Sequence, residues 1–392
     1  MTAVAPLPQT ERTRPSDSEG VYLDHNATTP VDPRVRDAMW PHFLELHGNP
    51  SSSHRHGRRA KEALEGARAQ VASVLGADAD AVHFTASGTE ANNAVVAAVT
   101  AHHRHTGRLL VNTLEHPSIH AACARAADAG MAVDEVVPNA DGVVDAEALL
   151  DAVRPDTRLV CLMLANNELG TLQPVAEVAG GCRKLGVPVL CDAVQAVGKI
   201  KVNVGELSVD YLSIGGHKCY GPPGVAALWT RPGAVSTPLL VGGSQEAGRR
   251  ASTENVPAIV GLGAAAELAE RELADRHRHM RALRDRFEAG LPRGARVHGG
   301  DAERLPNTSH VAFDGAAGHH TMLWLDGHGF AVSTGSACHA GEPQASRALL
   351  AMGVDRREAL GSLRISFGVT NTEGDVDRFL EVLRGDLPRL PR

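Results

Sequence analysis

From about residue 55 to residue 230 the chain alternates between helical stretches and short apolar runs, and this alternation restricts its architecture more than any other feature. Arg55 to Leu75 carries apolar residues at helical spacing, and Glu90 to His102 is rich in Ala and Val. Further helices are expected over 117–129, 145–153 and 174–185. Between them fall runs of strand length: Val82-Thr85, Leu109-Val111, Val133-Val137, Leu159-Leu164, Val187-Cys191, Tyr211-Ile214 and Val225-Trp229. Such a pattern predicts an α/β fold with a mostly parallel, helix-covered sheet. Ligands of these sheets gather beyond the carboxyl ends of the strands.

At 392 residues the chain is long enough for two domains. A helical stretch over about 257–290, charged on one side and rich in Ala and Leu on the other, leads into a smaller α+β part. The expected division is a flexible tail over 1–20, a large domain over 21–265 and a small domain over 266–392. Residues 21–35 are expected to pack on the small domain. A net charge of −7 argues against a general nucleic-acid or membrane-surface binder. No apolar run approaches the roughly 20 residues of a membrane span. The tail has no apolar core and does not read as a signal peptide, so the cytoplasm is the expected location. The 6 cysteines show no C-x-x-C spacing and are expected to be reduced thiols. The histidine clusters at 102–105 and 319–320 lack companions at metal-ligand spacing, and no metal is expected.

Several polar motifs fall just after the strand-like runs. Asp210-Tyr-Leu-Ser-Ile-Gly-Gly-His217-Lys218 puts a lysine at the end of a buried strand, after two glycines that let the backbone turn tightly. A lysine shielded from bulk water there can lose its proton and attack a carbonyl. Phe84-Thr-Ala-Ser-Gly88-Thr89-Glu90 runs from a strand into a helix start, a setting that suits a phosphate. Asp192, directly beyond a buried strand, needs a cationic partner such as a protonated pyridine nitrogen, and Gln195 follows three residues later. Asn166-Asn167-Glu168 ends another strand, and Pro117 fixes His116 at the mouth of a helix. Each motif alone also reads as a helix cap or a solvated loop. Their common position at strand ends argues for one shared cleft.

As an ordered set, from Tyr22-Leu-Asp-His-Asn-Ala-Thr-Thr-Pro30 to Arg364-Ile-Ser-Phe-Gly368, these motifs resemble the class V aminotransferase family of pyridoxal-phosphate enzymes. Within it the chain looks like a group I cysteine desulfurase of fold type I. The resemblance implies that Lys218 anchors the cofactor covalently and that His217, Gly88 and Thr89 meet its phosphate. It implies that Asp192 pairs with the ring nitrogen, that Gln195 and Asn167 lie near the ring oxygen, and that His116 stacks on the ring. Thr253, in Arg250-Ala-Ser-Thr253, would reach the phosphate bound by a partner subunit, so a homodimer is expected.

The reaction is selected by Ser333-Thr-Gly-Ser-Ala-Cys338-His-Ala-Gly-Glu-Pro343, whose small residues suit a mobile loop with a reachable thiol. The thiolate form attacks, and His339 or His116 could favour it; the sequence does not choose between them. Arg364 offers a planar fork for a substrate carboxylate, with Asn167 nearby by resemblance. The implied reaction converts L-cysteine to L-alanine, leaving a persulfide on Cys338 for a sulfur-acceptor protein. Selenocysteine or cystine-type lyase chemistry, or a docking scaffold with weak activity of its own, stays open at this level. So does the destination of the sulfur. Some positions depart from the family pattern: Gly215 stands where many relatives have serine, Ala251-Ser252 where Ser-Gly is usual, and Pro223 where lysine is common. The first two touch the expected phosphate site.

Overall fold

The protein is described from a computed structural model covering residues 20–313, 315–334 and 344–386. Its strands are β1 (Val21–Tyr22), β2 (Val82–Thr85), β3 (Arg108–Asn112), β4 (Ala132–Val136), β5 (Thr157–Cys161), β6 (Val189–Asp192), β7 (Tyr211–Gly215), β8 (Ala226–Thr230), β9 (Ala295–His298), β10 (Thr308–Phe313), β11 (Phe330–Ala331) and β12 (Ser362–Ser366). Seven of them form one sheet in the order β2-β8-β7-β6-β5-β3-β4. β8 runs antiparallel to both of its neighbours, and the other pairs are parallel.

Both faces of this sheet are covered, and the alternation of side chains along each strand shows how. Leu110, Val160 and Leu212 enter one apolar cluster, while their neighbours Leu109, Leu159 and Tyr211 enter another on the opposite side. Helix Arg55–Leu75 begins where His54 caps Gly57 and stops at Gly76, which takes φ +60. It packs closely against helix Val256–Arg271: a Cβ added to Gly263 would come within 2.6 Å of the Ala67 Cα.

A second core gathers around the antiparallel sheet β12-β10-β9 and the short parallel pair β1-β11. It includes Val21, Leu23, Phe287, Val311, Phe367 and Phe379, whereas Val35 already belongs to the first core. Residues 24–32 therefore cross from one core to the other. Ala348, Leu349 and Ala359, late in the chain, pack back into the first core.

The stretch expected as a single helix over 257–290 is two helices, Val256–Arg271 and Leu273–Ala289. Glu272 separates them at φ −104, ψ 8, with its carboxylate on Arg34 and Arg276. The first helix packs in the large core and the second, through Leu283 and Phe287, in the smaller one. The break lets one continuous run of sequence serve both. No helix among the described residues is long and apolar enough to cross a membrane.

Candidate active site

A cleft of about 400 Å³ opens between the carboxyl ends of the parallel strands and the second core. Lys218 reaches it because β7 ends at Gly215 and one tight turn, Gly216–Lys218, follows. Glycine is needed where the chain packs on itself there: a Cβ on Gly216 would lie 2.9 Å from the Pro222 carbonyl oxygen, and one on Gly221 2.8 Å from the Gly216 carbonyl oxygen. The Lys218 Nζ donates to the carbonyl oxygens of Asn26 (2.7 Å) and Ala27 (2.6 Å), both in the crossing segment. Burial, with the Arg364 guanidinium nearby, pulls its pKa down to about 8, and Asp24 and Asp192 oppose the fall.

Asp192 is the last residue of β6 and is buried. Its Oδ2 accepts from Asn92 Nδ2 (2.8 Å) and its Oδ1 from the Val194 N–H (3.0 Å). Among the described residues no cationic side chain pairs with it. Asn92 is fixed in turn, donating to Ser118 Oγ (3.1 Å) and accepting from Ser213 Oγ (2.7 Å). Gln195, one turn beyond Asp192, donates to the Asn26 carbonyl at 2.9 Å.

His116 caps helix Pro117–Asp128, and its Nδ1 accepts from the Ser118 N–H at 3.1 Å. A main-chain N–H can only donate, so Nδ1 is the bare nitrogen and the neutral ring carries its proton on Nε2. Burial holds its pKa down, as does the Lys218 amine, against the pull of Asp192.

On another wall, helix Gly88–His102 points its N-terminus into the cleft. Ser87 Oγ accepts from the Glu90 N–H (3.1 Å) and Glu90 reaches back to the Ala86 N–H (3.0 Å), a reciprocal cap that holds the first turn rigid. Gly88 and Thr89 line the opening. A Cβ at Gly88 would meet Val194 Cγ2 at 2.7 Å, and one at Gly215 would meet Val194 Cγ1 at 3.3 Å. His217 lies alongside, with Nδ1 3.1 Å from Thr28 Oγ1 and its pKa lowered to about 4 by burial and by Lys218.

Arg364, on β12, closes the cleft from the second core. Its guanidinium donates to the Asn167 carbonyl (3.1 Å) and to Asp24 Oδ1 (2.7 Å), while its Nε and the nearby Glu168 Oε2 are buried without partners among the described residues. Asn167 lines the cleft. Ser333 exchanges main-chain hydrogen bonds with Arg364 and also lines it. Cys338 and His339 lie outside the described residues. Thr253 is exposed and is not among the lining residues.

The cleft thus joins Lys218, His217, Asp192, Gln195, His116, Gly88, Thr89, Asn167 and Arg364. Sequence reasoning passed over Asn92, Ser118 and Asn26. Asn92 follows Thr89 by one helical turn, a spacing that brings it to the same end of the helix. Asn26 lies inside the Asp24–Pro30 motif, yet nothing local reveals what it touches. The side chains present fit pyridoxal phosphate: a buried carboxylate awaits a cation, a capped helix N-terminus suits an anion, and an amine of lowered pKa stands between them.

Comparison with known proteins agrees with this geometry. Residues 21–379 match the family described as aminotransferase class-V. A cysteine desulfurase of Gluconacetobacter diazotrophicus is 42% identical over 94% of this chain and 94% of its own. The cysteine desulfurase IscS of Methanosarcina thermophila is 40% identical over 94% of this chain and 92% of its own. A solved NifS-like protein superposes with a TM-score of 0.89 at 38% identity, covering 95% of this chain and 100% of that one.

Proposed function

The chain belongs to the class-V aminotransferase family, and from that premise we propose that it is a cysteine desulfurase that converts L-cysteine to L-alanine and passes the sulfur to Cys338. The observation that carries this reading is the half-buried Lys218 amine, in one cleft with the Asp192 carboxylate and the Arg364 guanidinium and with its pKa pulled down to about 8. Lys218 would hold pyridoxal phosphate covalently, and Asp192 would pair with its ring nitrogen. Gln195 and Asn167 would lie at the ring oxygen, His116 on the ring face, and His217, Gly88 and Thr89 at the phosphate. In a cytoplasmic homodimer, the partner subunit's Thr253 would complete the phosphate site. When bound, the cofactor supplies an electron sink for the pair left on the substrate α-carbon.

Arg364 binds the substrate carboxylate, its fork held in plane by Asn167 and Asp24. Lys218, once its amine is free, takes the proton from the α-carbon, a role suited to a group that titrates near neutral pH. The Cys338 thiolate attacks the substrate sulfur. An S–S bond forms as the Cβ–S bond breaks, the bonding pair stays on the β-carbon, and a proton added there and another returned to the α-carbon complete alanine. Cys338 is left as a persulfide, whose outer sulfur goes to a thiol of an acceptor protein.

Two variants test this reading. Lys218→Ala is expected to lack the visible absorption band of the bound cofactor. Cys338→Ala is expected to keep that band while releasing neither alanine nor sulfide. Undiminished turnover in Cys338→Ala would refute the nucleophile assignment.

A further inference from the structure

Lys199 is a second lysine behind the cleft, 4% exposed, and the reaction as described makes no use of it. It lies four residues after Gln195 in the turns that follow β6, and its Nζ donates to Gln195 Oε1 (2.8 Å) and to Asn26 Oδ1 (3.0 Å). Gln195 Nε2 donates to the Asn26 carbonyl, the same oxygen that receives the Lys218 Nζ. The two lysine amines are therefore joined through Asn26 alone, and again through Gln195 and Asn26.

Both acceptors of Lys199 are amide oxygens, and no carboxylate pairs with it among the described residues. An uncompensated ammonium in such a place is costly, whereas a neutral amine has two hydrogens and finds an acceptor for each. Around it, Lys218 and Arg364 disfavour a proton, and the Cys219 thiol favours one. His25 packs close to Lys199, Arg276 borders the adjoining Gly198, and His277 bonds the Lys199 carbonyl. Burial, Lys218 and Arg364 together hold the Lys199 pKa well below the ordinary lysine value.

We propose that Lys199 is a positioning residue, a neutral amine that fixes the amide orientation of Gln195 and, through Asn26, the seat of Lys218. Without the Lys199 donor, the Gln195 amide can turn over and withdraw its N–H from the Asn26 carbonyl. Asn26 itself stays tied to Ser366, Thr308 and Asn307, so the fold does not depend on this one amine. The role rests on the reading of Lys218 as cofactor anchor.

The test uses the cofactor-loaded protein with Lys199→Met and Lys199→Arg. Lys199→Met is expected to lower kcat per bound cofactor by about tenfold with KM for L-cysteine within about twofold, because Arg364 still binds the carboxylate. Lys199→Arg places a permanent charge in the same pocket. It is expected to lower the pH midpoint of the cofactor's visible band by about one unit, since a fixed cation repels the proton held at Lys218. If Lys199→Met does not fold, the midpoint in Lys199→Arg decides alone. A kcat and a midpoint equal to those of the unsubstituted enzyme overturn the proposal. Absence of the band in the unsubstituted enzyme instead removes the cofactor reading on which it rests.

Discussion

A lysine partly withdrawn from water and close to a guanidinium gives up its proton far more readily than one in open solvent. For Lys218 the expected consequence is kinetic. Capture of pyridoxal phosphate by cofactor-free protein requires the neutral amine, so its rate should climb about tenfold per pH unit below pH 8 and level off above it. Stopped-flow absorbance across pH 6 to pH 10 checks this; a rate still climbing to pH 10 would mean an ordinary lysine. Residues of this kind are legible in sequence because their setting is local: Asp192 ends an apolar run, Lys218 and Asn167 come shortly after one, and His116 precedes a helix-starting proline. Asn92, Lys199 and Asn26 were not legible. Their meaning lies in partners such as Asp192 and Ser366, which sit 100 and 340 positions away in the chain.

Among elements, the segment that carries Thr253 stands out for its backbone. Glu246, Ala247 and Ser252 all take positive φ (48, 54 and 90), a region that favours glycine. Arg68 holds the first of these in place through a buried two-pronged contact with Glu246, which also accepts from the Phe84 N–H. Ser252 is exposed, and among the described residues no such contact compensates it. Ser252→Gly is therefore expected to raise the unfolding free energy by about 1 kcal/mol, seen as a higher melting temperature, with little change in secondary structure. An unchanged or lower melting temperature would show that the serine is not strained. The helices and strands around the sheet follow their sequence patterns closely because propensity, capping and burial agree there. Helix Arg55–Leu75 has the bounds its periodicity predicts. The stretch over 257–290 misled because apolar spacing continues through Glu272, while the two halves serve different cores.

For the whole molecule, the tie between those cores matters most. Arg34 pairs with Asp32 (2.7 Å) and with Glu272 (2.5 Å), linking the end of the crossing segment to the helix break. All three side chains are largely buried. Arg34→Met would leave two carboxylates short of their cation and should lower the unfolding free energy by about 3 kcal/mol. Chemical denaturation with fluorescence or circular dichroism measures this directly; a loss under 1 kcal/mol would show that Arg276 alone compensates Glu272. In the sequence, the strand–helix alternation stops by about residue 230 and a long helical stretch over 257–290 follows. The path of residues 24–32 between the cores was not visible there, since it depends on contacts that no local pattern encodes.

That path also sets an order of events during synthesis. Asn26 leaves the ribosome long before Ser366, yet its N–H bonds Ser366 Oγ, 340 positions later. Leu23 and His25 likewise wait for the Ser366 backbone. The large sheet can form on the growing chain, but the carbonyls that seat the Lys218 amine reach their places only when the last strand arrives. A nascent or prematurely ended chain thus has its lysine without the oxygens that orient it, and the reactive centre is the final part of the molecule to be finished.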